Sequence, residues 1–217
     1  MHLKRLIVPK TWKLNRKERK FITRPDPRGR LEYTVPMVVL LRDIIGIANN
    51  KREVKIILNS GEAIVNGKPV KSVKFPVTLF DVIELPSLKK KYELTFSDIG
   101  KLTAKEVDRD YRFARIEGKT AVKKGQIQLN LFGSSNLIAD KKSYNIGDVI
   151  KVGFKNNKIK GKIELKKGSE ALVIKGAHQG KSGKISKLLS DLKPKEAVLK
   201  TKDGEIRTRL KNVYVKE

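Results

Sequence analysis

The feature that most constrains this chain is the shortness of its apolar segments and the regular recurrence of turns between them. Over residues 91–163 apolar and polar residues alternate in Arg115–Glu117, Gln126–Leu131, Asn136–Ile138 and Val149–Val152, with turn clusters at short intervals. A period of two gives each stretch one dry and one wet face, and short connections make neighbouring strands antiparallel. The same pattern returns over residues 164–217. Glu170–Ile174, Lys184–Leu189, Ala197–Lys200, Glu205–Arg209 and Val213–Val215 read as strands, with Asp203-Gly204 as a hairpin turn. Five short strands in so few residues suit a small barrel. Within the central segment Thr103–Asp108 reads as a helix of one or two turns.

Residues 34–90 differ. In "TVPMVVLLRDIIGIA" Thr34 reads as an N-cap, Pro36 falls near the first helical position, and Val38, Leu41, Ile45 and Ala48 share a helical stripe. A second helix follows, with Asn50 as N-cap, Val54, Ile57 and Leu58 as its buried face and Gly61 at its stop. Asn66-Gly67 is a strong hairpin signal, and Val77–Leu85 reads as one strand. "LFDVIEL" and "NIGDVIKV" echo each other as strands entered from a tight acidic turn. The predicted fold class is therefore α+β and multi-domain: a basic arm (1–33), a two-helix plus sheet module (34–90), a central antiparallel β domain (91–163) and a C-terminal β-barrel (164–217).

Charge narrows the partners. The 217 residues carry 50 Lys+Arg against 23 Asp+Glu, a formal net charge of +27, and the pI is about 10.2. Such self-repulsion calls for a polyanion, and nucleic acid leads because each phosphate contact releases a condensed counterion. An anionic membrane ranks second, yet the best apolar run, Met37–Leu41, stops at Arg42, far short of a span. A thermophile's solvated surface would pair its lysines with glutamates, and here they are unmatched. The surplus sits at the ends: residues 1–30 are net +9 and 151–217 net +12, against +3 for each stretch between. Cysteine is absent and there are two histidines, so no cofactor, thiolate metal site or His-based catalysis is expected.

Residues 1–33 read as an extended arm with at most one helical turn, ordering on its partner. Trp12 and Phe21 lie among its cations, where they can stack on bases or pin the arm to the body of the protein; the sequence leaves both roles open.

"VIKGAHQGKSGKISKL" (Val173–Leu188) invites a nucleotide-phosphate reading. It fails on spacing and context. Only Ala177, His178 and Gln179 separate Gly176 from Gly180, one residue short of a P-loop, and Gly183 with a strand-like segment follows where a helix must begin. A glycine loop between two barrel strands uses the same residues differently. Gly176, Gly180 and Gly183 permit the turn, and Lys175, His178, Gln179, Lys181 and Lys184 point outward at a phosphate backbone.

This stretch resembles the KOW motif of ribosomal and transcription-elongation proteins, implying an SH3-like barrel. Residues 50–85, "NKREVKIILNSGEAIVNGKPVKSVKFPVTLFDVIEL", resemble the S-four RNA-binding module. That resemblance implies RNA contact from the helix start (Lys51, Arg52, Lys55) and from the hairpin (Asn66, Lys68). Phe80 departs from the family's common glycine before the aspartate. With the opening "HLKRLIVPKTWKL" and the closing "TRLKNVYV" (Thr208–Val215), the order of segments resembles the S-four-e family of small-subunit ribosomal proteins, in a length similar to the archaeal form. "LNLFGSSN" departs from the family's acidic-Gly-Arg turn, which bears on contact at Ser134–Asn136.

The function so implied is structural and non-enzymatic, in the cytoplasm within the ribosome. The partners would be small-subunit ribosomal RNA and neighbouring small-subunit proteins, with no membrane and no small-molecule substrate. Candidate RNA contacts are Lys4, Arg5, Lys10, Trp12, Lys13, Arg16, Lys17, Arg19 and Lys20 in the arm, and Lys51, Arg52, Lys55, Asn66 and Lys68 in the module. Lys175, His178, Lys181, Lys184, Arg207, Arg209 and Lys211 complete the set in the barrel. One alternative is an RNA-modifying enzyme, although Asp98, Asp108 and Asp110 lack the setting of a catalytic pocket. A transcription-elongation or DNA-compaction protein is the other.

Overall fold

A computed structural model describes residues 3–122, 125–139, 143–189, 194–202 and 204–216. The chain divides into two compact units. Met1–Thr95 with Lys101–Arg112 form the first, and Phe96–Gly100 with Phe113–Glu217 the second. Both are built mainly from antiparallel sheet with few helices.

In the first unit the arm departs from the expectation of an extended tail. Leu3–Lys4 (β1) pairs with Phe21–Ile22 (β2), and the Arg5 amide donates to the Lys20 carbonyl at 3.0 Å. Trp12 is the anchor. It is 2 % exposed, and its indole N–H donates to the Leu31 carbonyl at 3.1 Å. Burying so large a side chain while satisfying its one donor offsets the ordering of the loop around it.

Thr34–Pro36 (β3) is a strand, correcting the expectation of a helix capped by Thr34. It pairs with Pro76–Thr78 (β6), and the Thr34 hydroxyl donates to the Arg28 carbonyl at 3.0 Å. The helix starts at Met37–Val39 (α1) and widens at once into a π-helical turn, Leu40–Ile44, ended by Gly46 at φ +81°. Every residue from Tyr33 to Leu41 is buried. A segment dry on all sides carries no stripe, which is why its periodicity misled. Lys51–Asn59 (α2) forms as expected. The Asn50 side chain accepts from the Arg52 and Glu53 amides, Val54 and Leu58 are fully buried, Ile57 is half-buried, and Gly61 at φ +77° ends it.

Ile64–Val65 (β4) and Lys68–Pro69 (β5) flank the Asn66-Gly67 turn, whose φ values of +50° and +78° fit a two-residue hairpin. The expected single strand over Val77–Leu85 is two: β6, then Val82–Leu85 (β7), parted by a tight turn at Leu79–Asp81. Phe80 sits there at φ +69°, the left-handed region a glycine would occupy freely. Its ring is 1 % exposed. Burying an aromatic gains about 3–5 kcal/mol against about 1–2 kcal/mol for the backbone, so packing wins. Lys90–Phe96 (β8) and Leu102–Glu106 (β9) complete a sheet of order β5-β4-β7-β8-β9. β9 occupies the place of the helix expected over Thr103–Asp108.

The turn ends on Asp81, 1 % exposed. Its carboxylate accepts from the Thr78 amide at 2.9 Å and the Asn66 side-chain amide at 2.7 Å, with Arg28 at 3.1 Å and Arg112 at 3.5 Å. Arm, hairpin, turn and the segment after β9 thus meet on one buried charge.

The second unit holds two five-stranded antiparallel sheets. The first has Tyr111–Ala121 (β10), Ile127–Leu131 (β11), Ser135–Ala139 (β12), Val149–Gly153 (β13) and Ile159–Ile163 (β14), in the order β12-β11-β10-β13-β14. Ala114, Ile116, Leu129, Leu131, Ala139, Ile150 and Val152 pack as its core. The echo of the acidic turn holds: Asp148, 3 % exposed, accepts from the Asn145 amide at 3.0 Å as Asp81 does from Thr78, each three residues back. Lys162 lies 3.1 Å from it. Burial lowers the pKa of Lys162, but its hydrogen bonds to Asp148 and Glu164 outweigh this and hold it above the usual lysine value.

The second sheet has Glu170–Val173 (β15), Ser182–Leu189 (β16), Glu196–Thr201 (β17), Gly204–Arg209 (β18) and Val213–Val215 (β19), in the order β18-β17-β16-β15-β19. All five were legible. Asp203 of the expected turn lies outside the described residues, and Thr201 pairs with Gly204 across it. Ile185, Leu199 and Ile206 form one buried cross-strand row. Arg115 of β10, 7 % exposed, donates to the Lys211 and Val213 carbonyls, both at 2.8 Å, and Phe132 meets Tyr214 edge-on at 6.1 Å.

Asp81→Asn, which leaves two guanidiniums facing a neutral amide, is expected to cost about 3–5 kcal/mol in urea unfolding. Glu106→Gln breaks an exposed pair with Lys90 at 3.3 Å and is expected to cost less than about 1 kcal/mol. Equal effects would refute the role given to Asp81. Phe80→Gly, tested in the same way, is expected to lose a net of about 1–4 kcal/mol despite relieving the backbone.

Candidate nucleic-acid interface

The cations of the arm do not all face outward. Lys4, Lys10, Lys13, Lys17, Arg19 and Lys20 are exposed, and Arg16 is half-buried with its guanidinium at 3.4 Å from the Leu6 carbonyl. Arg5 is 3 % exposed and pairs with Glu18 at 3.2 Å. Trp12 is buried as described, so of its two possible roles the structure places it in the anchoring one. Phe21, by contrast, is 47 % exposed, with the Lys20 ammonium 5.5 Å from its ring centroid.

Lys51, Arg52 and Lys55 are exposed along the first turns of α2. The hairpin divides. Lys68 is exposed, but both ends of the Asn66 amide are engaged inward, donating to Asp81 and accepting from the Val82 amide at 3.0 Å. Through these bonds Asn66 shapes the turn that presents Lys68. Arg5, Arg19 and Lys51, distant in sequence, line one cleft of about 700 Å³. Arg24, Arg42 and Lys74 line it too, and composition alone did not single them out among the other cations.

In the second unit the β15–β16 loop carries Lys175 and His178, both exposed, and Lys181, half-buried. The glycines have distinct reasons. Gly176 stands at φ +106°. Gly180 stands at φ +90°, and a Cβ there would lie 2.1 Å from the Ser97 carbonyl oxygen. A Cβ on Gly183 would lie 2.5 Å from the Lys200 carbonyl oxygen on β17. The loop is thus pressed backbone to backbone against the Ser97–Gly100 turn, closed by a 2.8 Å bond from the Gly100 amide to the Ser97 carbonyl.

Lys184 lies on β16 opposite Glu170 on one side and Lys200 on the other. Arg207 and Arg209 are exposed on β18, with Arg207 paired to Glu196. Lys211 is exposed in the turn before β19. Sheet order separates β18 from β15 by two strands, so these residues form two groups on the sheet. At the β11–β12 turn, Gly133 and Ser134 both take positive φ, keeping a tight turn with different residues from those expected.

The remaining chemistry is sparse. Among the described residues no three His, Cys, Asp or Glu side chains gather to hold a metal, and no helix is long and apolar enough to cross a membrane. Asp98 and Asp108 are exposed, and Asp110 pairs with Lys91 at 2.5 Å.

Gly180→Ala is expected to cost about 1–3 kcal/mol beyond Gly168→Ala in thermal unfolding. Gly168 has a matching φ of +90° but open space around it, so its change costs only the backbone preference, about 1–2 kcal/mol. Equal losses would mean that the close approach to Ser97 is not what fixes the loop.

Comparison with known proteins finds relatives over nearly the whole chain. Residues 1–27 match the RS4NT (NUC023) domain and residues 88–159 match Ribosomal family S4e. The small ribosomal subunit protein eS4 of Methanosphaera stadtmanae is 37 % identical over 99 % of this chain and 91 % of its own. That of Archaeoglobus fulgidus is 33 % identical over 99 % of this chain and 92 % of its own. The crystal structure of the 30S ribosomal protein S4e from Thermoplasma acidophilum superposes with a TM-score of 0.71 at 27 % identity, covering 84 % of this chain and 94 % of that one. This chain therefore belongs to the S4e (eS4) family of small ribosomal subunit proteins.

Proposed function

We propose that the protein is a structural, non-enzymatic constituent of the small ribosomal subunit that binds and bridges ribosomal RNA helices, beside neighbouring small-subunit proteins. The observation that carries this reading is the division of charge. The buried carboxylates Asp81, Glu93 and Asp148 each meet a cation inside the fold, Arg28 and Arg112, Arg109, and Lys162 respectively. Most of the lysines are left facing solvent. A surplus displayed on each of the two units lets each neutralise phosphates, which suits bridging.

In this reading residues 1–33 are a basic arm, 34–90 an S-four-like RNA-binding module, 91–163 a central β domain and 164–217 a KOW barrel of SH3 type. The capped helix α2 followed by the Asn-Gly hairpin and β7 supports the second assignment. The glycine loop between β15 and β16 supports the fourth. The contacts proposed are the exposed cations of the arm, Lys51, Arg52, Lys55 and Lys68, and in the barrel Lys175, His178, Lys181, Lys184, Arg207, Arg209 and Lys211.

In low-salt extracts the protein is expected to sediment with small subunits and to be released at high salt. Finding it mainly with RNA polymerase or the chromosome would overturn the proposal. In filter binding to stripped small-subunit RNA, Lys175→Gln with Lys184→Gln is expected to flatten the dependence of log affinity on log salt by about 1–2 units. An unchanged slope would remove these two lysines from the interface.

A further inference from the structure

The cleft of about 700 Å³ in the first unit has a composition that no phosphate-binding surface requires. Its cations are Arg5, Arg19, Arg24, Arg42, Lys51 and Lys74, against the single carboxylate Asp26 on the same wall. Between them lies an apolar stretch made of Phe21, Ile22, Pro25 and Pro27. A duplex backbone gains from the cations alone. A rigid aromatic and proline surface set among cations adds something only if the ligand has a flat apolar face next to its phosphate.

Two further observations point the same way. Phe21 is among the most exposed aromatics of the chain, yet the arm fixes it: its residue pairs with Lys4 in the β1–β2 ladder. A half-exposed ring held by backbone pairing is a preorganised platform, and the Lys20 ammonium 5.5 Å away would add to base stacking. Arg5 is the second. Its Nε is buried and has no hydrogen-bond partner, although its Nη2 pairs with Glu18 at 3.2 Å. An unsatisfied donor on a buried guanidinium costs stability by itself, and Arg5 lines the cleft, where its charge is available to an anion. Arg42 stands differently, since both of its bonds go to Asp43, at 2.7 and 3.0 Å, so it contributes a partly neutralised charge.

Deepening the ribosomal-RNA reading on which it rests, we propose that this cleft receives one or two unpaired nucleotides of the RNA. The base stacks on Phe21 and the adjoining phosphate sits by Arg5 and Arg19, while Lys51 and Lys74 hold the flanking backbone. The volume falls in the range of sites that enclose small ligands, and unstacked nucleotides are the part of an RNA that a side chain can read. The arm thereby selects a bulge or loop, while the rest of the protein tracks duplex.

The test uses the full chain and two short RNA hairpins, one fully paired and one with a single bulged fluorescent purine analogue. The bulged hairpin is expected to bind about tenfold more tightly, with its fluorescence quenched by stacking. Phe21→Leu is expected to abolish the quenching and the advantage, leaving affinity for the paired hairpin unchanged. Lys51→Gln with Lys74→Gln, on exposed side chains, should reduce the advantage, whereas Lys158→Gln, which removes one charge in the second unit, should not. Equal affinity for the two hairpins, or an advantage that survives Phe21→Leu, overturns the nucleotide cleft while leaving ribosomal RNA binding intact. Failure to bind either hairpin or stripped small-subunit RNA overturns both readings.

Discussion

The first unit depends on one buried carboxylate. Asp81 holds the β6–β7 turn through the Thr78 amide, the hairpin through Asn66, the end of the arm through Arg28 and the segment after β9 through Arg112. Each partner comes from a different part of the chain, so the charge can be buried only when all of them arrive. A half-assembled version would leave an ionised group without its bonds, at a cost of several kcal/mol. Such a site favours a single arrangement of short strands that could otherwise pair in several registers. Phe80 belongs to the same device: a left-handed residue just before Asp81 turns the chain so that the carboxylate points inward, and its buried ring holds that turn in place.

A chain with a net charge of +27 must also manage its own repulsion. Here the inward-facing cations are mostly arginines: Arg28 and Arg112 on Asp81, Arg109 on Glu93, and Arg115 on the Lys211 and Val213 carbonyls. The flat, forked guanidinium satisfies several acceptors at once and tolerates partial burial. The lysines are largely left outside, as hydrated point charges on flexible stems. With 50 Lys+Arg against 23 Asp+Glu, and three of those acids buried against internal cations, the surface keeps a large positive excess. The fold thus keeps its arginines for internal acceptors and carries the compositional excess as a positive surface potential.

How much of this could be read from the sequence depended on the physics of each element. In the C-terminal sheet β16, β17 and β18 were legible because each has one wet face, which period-two alternation reports directly, and the almost wholly buried β15 and β19 were legible as short apolar runs between turn signals. Asn50, Gly61 and the Asn66-Gly67 turn were legible because local backbone geometry selects those residues. Thr34–Pro36 was not, because its strand partner, Pro76–Thr78, lies forty residues away and the whole stretch is dry. β9 was mistaken for helix because its outer half is exposed and charged, so its alternation is weak. The interface was legible as a quantity of charge and only partly as a set of residues. Trp12 and Phe21 look alike in the sequence, two aromatics among cations, and only packing makes one an anchor and the other a platform.

The glycine loop shows the same limit from the other side. "GAHQGKSGK" has the composition of a phosphate cradle, whose binding atoms are backbone amides. In the folded chain several amides in and beside this stretch have other partners. Gly180 N–H donates to the Val173 carbonyl at 2.8 Å, Lys181 to His178 at 3.2 Å, Gln179 to Gly176 at 3.2 Å, and Ile174 to Asn212 at 2.8 Å. With these donors turned inward and its backbone pressed against Ser97, the loop lacks the continuous run of free amides that a phosphate cradle needs. Side-chain ammonium groups hold a phosphate by charge and not by an enclosing geometry, so they bind a backbone of many phosphates in preference to one nucleotide. The glycines make the turn tight and its lysines prominent. That is a requirement of a strand connection in a packed sheet, and it separates this loop from the nucleotide site its sequence resembles.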